Sequence, residues 1–126
     1  MTAETVTNII NEYFAAISAL DAERWVATFA ADATSYEPGN PLTGHDALRA
    51  FFNGIAGGFE QMDMHATEIY PVGNEAGVKW TATGTGKNGR TVKFEGIDVF
   101  VINEAGTIQT CKAYWNPAAM MAELMG

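Results

Sequence analysis

Cysteine is almost missing from this chain of 126 residues: Cys111 stands alone, which excludes an internal disulfide. Only two histidines occur, and no Cys/His cluster surrounds them, so no structural zinc or other metal site is expected. Bases are sparse as well, seven Lys and Arg against fifteen Asp and Glu, for a formal charge of −8. That imbalance argues against a nucleic-acid backbone or an anionic membrane surface as partner and leaves neutral or cationic small molecules. No apolar run approaches the roughly 18 residues that cross a bilayer, and the N-terminus MTAETVTNIINEYF has no basic segment leading into an apolar one. A protein of a reducing cytoplasm, neither exported nor membrane-spanning, is expected. Repeats, low-complexity tracts and linkers are lacking too, so residues 1–126, 48% hydrophobic, read as one domain with a sizeable core.

What is present begins with helical periodicity. Ile9, Ile10, Tyr13, Phe14, Ile17 and Leu20 recur at helical spacing, predicting an amphipathic helix over about 3–19 with Tyr13 on its inner face. Asp21 is a fitting N-cap for a short second helix that carries Trp25, Val26 and Phe29 inward. ADATSYEPGNPLTG, with two prolines and two glycines, then reads as an irregular loop holding Glu37, with a cis bond expected at Glu37–Pro38. Thr43 and Asp46 resemble a capping box that opens a third helix through Leu48, Phe51, Phe52 and Ile55. Beyond Met62 the period changes to alternation, with strands near 62–72, 76–86, 91–102 and 106–116 joined by turns such as GNEAG and KNGR. Three helices followed by a four-stranded antiparallel meander define an α+β domain, in which the helices cover one face of a curved sheet and a pocket lies between them.

Three residues could carry chemistry. Asp98 interrupts the apolar run GIDVFVI, and alternation gives it one face with Phe94, Phe100 and Ile102. A buried carboxylate without a cation is costly, so raising the pKa and keeping the proton is one solution, which turns the acid into a hydrogen-bond donor. The other solution is structural, with Asp98 paired to Lys79, Lys93 or Lys112 or capping a bulge. Tyr13 is either a core tyrosine whose hydroxyl finds a carbonyl or a phenol that donates into the pocket. Glu37, in SYEPGNP, is either solvated surface or a carboxylate held by a stiff loop at a pocket rim, suited to moving a proton.

Other residues say less. His45 and His65 have no Ser or carboxylate at a diagnostic spacing and read as surface or capping residues. Cys111, in IQTCKAYW, reads as a small buried apolar group. Gly84, Gly86 and Gly89 in GTGKNG lead into a hairpin rather than a helix, which argues against a phosphate loop. Trp25, Trp80, Trp115 and the seven phenylalanines are core, though they could also line a pocket for a flat apolar ligand.

Taken together these residues carry a resemblance. An inner-face tyrosine on the first helix, FAADAT leading to an acid-proline pair, GHDALRAFF, and IDVFVINEAGTIQTCKAYW follow in one chain. The sequence resembles the ketosteroid isomerases, which move a steroid double bond from Δ5 to Δ4, within the nuclear-transport-factor-2-like (NTF2-like, SnoaL-like) superfamily. The resemblance implies a cone-shaped α+β fold, a homodimer packed through the sheet, and no metal, nucleotide or redox cofactor. It implies Tyr13 as an oxyanion-hole donor, Asp98 as the protonated acid beside it, and Glu37 as the base that shuttles a proton on an apolar, steroid-like ketone. Those isomerases are a known case of an acid kept neutral by an apolar site. Phe29, Phe52, Phe100 and Trp115 are the aromatics expected to meet the substrate. Two departures stand out: the family's base is typically aspartate, one methylene shorter than Glu37, and Phe29 and Phe52 stand where some members have supporting tyrosines. The wider superfamily leaves a cyclase or dehydratase acting on another carbonyl, or a non-catalytic binding module, as alternatives.

Overall fold

The computed structural model describes all 126 residues. Helix α1, Ala3–Ser18, starts where the Thr2 hydroxyl accepts a bond from the Thr5 N–H, and it buries Val6, Ile10, Tyr13, Phe14 and Ala16. Ser18 ties its far end to the sheet, its Oγ donating to the Met64 carbonyl and accepting from the Met64 N–H, both at 2.9 Å. Asp21 caps α2, Ala22–Val26, as expected, through a bond from the Arg24 N–H at 3.0 Å.

From Phe29 onward the structure departs from expectation. Phe29 lies not on the second helix but at the start of strand β1, Phe29–Glu37, which forms a hairpin with β2, Asn40–Thr43. The prolines do not prevent this, because Pro38 sits in the turn with Gly39 at φ 92 and Pro41 lies on an edge strand, where a missing N–H is tolerated. No peptide bond is cis, so the cis bond expected at Glu37–Pro38 is trans. The capping box is absent too. Thr43 spends its hydroxyl on Thr34 across the hairpin at 2.9 Å, and helix α3, His45–Ala56, is capped by Gly44 without a side-chain bond.

Strands β3 (Phe59–Val72), β4 (Glu75–Gly86), β5 (Thr91–Ile102) and β6 (Ile108–Tyr114) follow at the expected places. The sheet has six strands rather than four, in the order β2-β1-β6-β5-β4-β3, and it is mixed because β1 runs parallel to β6. Helices pack on this curved sheet, and the core lies between them. A further helix escaped the periodicity reading, α4 over Pro117–Met125, capped by Asn116 and opened by a proline. Its Met120 and Leu124 pack with Phe59 and Val92 in a small second core. No helix is long and apolar enough to cross a membrane.

Candidate active site

Between the helices and the inner face of the sheet lies a cavity with about 620 Å³ of empty space out to its mouth. A concave, mostly apolar space of this kind suits an apolar small molecule. Fifteen of its seventeen lining residues are hydrophobic, and the other two are Glu37 and Asp98. Tyr13 lines it as well, so the three residues singled out in the sequence meet at one cavity.

Asp98 reaches it from β5, where alternation turns it inward with Phe100 and Ile102, leaving it 2% exposed. None of the lysines offered as partners can serve. Lys79, Lys93 and Lys112 occupy alternate, exposed positions of β4, β5 and β6, on the face away from the cavity. The Asp98 Oδ1 atom has no hydrogen-bond partner. Burial foremost, then the negative charge of Glu37, raises the Asp98 pKa to about 8, while the Trp80 indole acts in the opposite direction. The acid therefore holds its proton at neutral pH.

Tyr13 is 4% exposed on α1. Its ring packs edge-on against Phe14 and Phe100, both at 5.0 Å between centroids. Burial above all, with the nearby thiol of Cys111 and the two acids adding to it, pushes its pKa well above the ordinary value, so the phenol stays a donor. Glu37 closes β1 and is half-buried. Its Oε2 accepts a bond from Ser35 Oγ at 2.9 Å, and its Oε1 a long one from Trp115 Nε1 at 3.4 Å. Burial raises the Glu37 pKa, opposed by those two bonds. The arrangement combines a partly accessible base with two neutral donors in a water-poor slot, the elements needed to remove a proton and stabilise the oxyanion that results.

The aromatics divide. Phe52 and Trp115 line the cavity, whereas Phe29 and Phe100, expected to meet a substrate, do not. Phe29 opens β1 and packs against Trp25 at 4.9 Å, Phe100 lies against the Tyr13 ring, and both are fully covered by these neighbours. Ser35 was missed because its segment read as loop; only on strand β1 do residues two apart share a face, which sets its hydroxyl beside Glu37. Trp25 and Trp80 line the cavity too, and as sequence they could not be told from core. His45 bonds the Phe29 carbonyl at 2.9 Å and His65 stands exposed beside Asp63, both away from the cavity. No group of three or more His, Cys, Asp or Glu side chains comes together to hold a metal ion.

Fold and site together define a small α+β domain with an acid-bearing apolar slot. Residues 10–110 match the SnoaL-like domain family, and the chain belongs to it. Among solved structures it is similar to an NTF2-like protein of unknown function from Burkholderia pseudomallei, at 20% identity over 100% of both chains with a TM-score of 0.83. It is also similar to TerC, co-crystallised with polyporic acid, at 15% identity over 97% of this chain and 99% of that one, with a TM-score of 0.82. An NTF2-like protein of unknown function from an Exiguobacterium species matches at 16% identity over 90% and 99%, with a TM-score of 0.72. These likenesses establish the NTF2-like fold.

Proposed function

We propose that this protein is a cofactor-independent isomerase that moves a double bond into conjugation in a flat, enolisable ketone, a 3-oxo-Δ5 steroid in its most specific form. One observation carries the reading: Asp98, sealed among apolar side chains with no cation, shares a single slot with Glu37, which is held by donors and half open. Glu37 takes the proton from the carbon between the carbonyl and the β,γ double bond, and the C–H electron pair moves toward the ketone oxygen. Tyr13 and Asp98 donate hydrogen bonds to the dienolate oxygen. Protonated Glu37 then delivers the proton to the γ carbon, the double bond settles into conjugation, and no electrons are gained or lost. Localising the two donors on rigid elements, α1 and β5, gives the oxyanion a preorganised site.

A second reading has a specific motive. TerC, of the same fold, was co-crystallised with polyporic acid, so a domain of this fold can meet a small molecule other than a steroid. Under that reading Glu37 serves a cyclase or dehydratase acting on another carbonyl compound. Ultraviolet absorbance of the conjugated enone, followed as protein meets a 3-oxo-Δ5 steroid, separates the two. Isomerisation predicts growth that falls by at least about 10²-fold in Glu37→Gln, with binding of 2-naphthol retained. No growth in a folded protein that still binds 2-naphthol would favour the second reading, and loss of naphthol binding in Glu37→Gln would make Glu37 structural. We also assign a homodimer through the outer sheet face, where Tyr36, Ile97 and Tyr114 stand exposed. Light scattering should return twice the 13.5 kDa chain mass, and a monomer at all concentrations refutes it.

A further inference from the structure

Three buried side-chain polar atoms in the chain lack a hydrogen-bond partner: Trp25 Nε1, Trp80 Nε1 and Asp98 Oδ1. All belong to residues that line the cavity. An unpaired buried donor or acceptor costs about 1–3 kcal/mol, so three gathered at one site call for a functional reason. Each of these atoms is itself sealed from the cavity. A ligand in the slot cannot reach them, and their use must lie in what they do to the groups that touch the ligand.

The sheet brings two of the three together. Across β4 and β5, Val78 pairs with Asp98 and Trp80 with Gly96, so Trp80 and Asp98 are diagonal neighbours on the inner face, within reach for a long aromatic side chain. Gly96 decides how the indole lies. A Cβ at Gly96 would stand 2.6 Å from Trp80 Cζ2, so the ring edge that carries Nε1 lies across β5. That edge faces the strand from which Asp98 projects. Because Asp98 Oδ1 is sealed, Oδ2 is the oxygen able to meet the cavity.

We propose that Trp80 is a positioning residue for Asp98: its indole N–H is the partner of Oδ1, which makes Oδ1 the accepting oxygen and keeps the carboxylic proton on Oδ2, facing the ligand. The inference rests on the reading of Asp98 as a proton-keeping donor. As negative charge gathers on a ligand oxygen, the Oδ2 proton is drawn toward it and the carboxyl becomes partly anionic. The N–H closing on Oδ1 stabilises that charge without any movement of the backbone. Trp25 stands in a similar relation to the Tyr13 phenol, with ring centroids 5.8 Å apart and an indole that lowers the phenol's pKa.

The titratable groups facing Asp98 are Glu37 from β1, Tyr13 from α1 and Cys111 from β6, of which the last two are pushed upward by burial and keep their protons. Asp98 is therefore best followed in the Glu37→Gln protein, by carbon NMR of its labelled carboxyl alongside the indole N–H resonances. The expected result is a Trp80 indole proton that shifts with the midpoint of Asp98, a shift absent when Asp98→Asn is added, and an Asp98 midpoint raised by about half a pH unit or more in Trp80→Phe. A Trp80 resonance indifferent to Asp98, or an Asp98 midpoint unchanged or lowered in Trp80→Phe, overturns the inference. Should Trp80→Phe fail to fold, the indole resonances with and without Asp98→Asn decide alone. An Asp98 midpoint near the ordinary carboxylate value would overturn both this inference and the donor role it rests on, whereas a high midpoint with an indifferent Trp80 would overturn this inference only.

Discussion

Asp98 should make the protein less stable as the pH rises, and the size of the effect follows from its surroundings. In the unfolded chain the carboxyl loses its proton near 3.8, and in the folded chain near 8, chiefly because burial penalises the anion. Between those values the native state holds a proton that the unfolded state has released, so stability falls with rising pH across the window and levels off above about 8. The difference spans about 4 pH units, and at about 1.4 kcal/mol per unit it is on the order of 5 kcal/mol. That is a large part of the total stability of a domain this size. Urea unfolding from pH 4 to pH 9 of the wild type and of Asp98→Asn tests it, because asparagine keeps the shape and cannot ionise. The wild type should lose stability relative to the variant by several kcal/mol on going from pH 4 to pH 8. If the difference between the two proteins is the same at pH 4 and pH 9, Asp98 does not hold its proton in the fold and the donor role collapses with it.

Two further perturbations address the supports of the site. Ser35→Ala removes the bond to Glu37 Oε2, one of the influences that lowers the Glu37 pKa, so the acidic limb of the pH-rate profile should move to higher pH while the alkaline limb, set by Asp98, stays in place. An unmoved acidic limb would mean that Glu37 is not the group titrating there. Asp21→Ala deletes the cap of the five-residue α2, which carries Trp25 to the cavity, and should cost about 1 kcal/mol by thermal unfolding. No loss of stability would show that packing of Trp25 and Val26 alone holds that turn of helix.

The legible parts of the chain were those where one strong period acts on bulky residues. Tyr13 and Asp98 could be placed on inner faces because helical spacing on α1 and alternation on β5 are each enforced by large apolar neighbours. FAADATSYE lacked such neighbours: Ala33 and Ser35 are buried yet too small to announce an inner face, so β1 read as loop and its parallel pairing with β6 was invisible. Long-range pairing decides such a strand, and local propensity does not. Helix α4 did leave a signal, an Asn-Pro start, but its apolar residues show no clear stripe because only Met120 and Leu124 are buried. In the site, residue types suggested donors and a base, while Ser35 meets Glu37 only because β1 is a strand and Trp80 meets Asp98 only through the β4–β5 register.

The charge balance of the slot finally narrows what it can accept. Its lining holds two acids and no Lys, Arg or His, and the chain's lysines near Asp98 all point to the opposite face. An anionic ligand would bring a charge next to Glu37 with nothing to offset it, in a medium where such repulsion is poorly screened. A neutral ligand avoids this. In the reaction proposed above, proton transfer to Glu37 would pass the negative charge from the carboxylate to the ligand oxygen and leave the total in the slot unchanged. Neutral donors, Tyr13 and protonated Asp98, match that demand, because no second charge has to be buried. Ionising Asp98 would break that balance, so the proposed reaction predicts turnover that falls as the pH rises past about 8, and turnover undiminished there would refute the donor role.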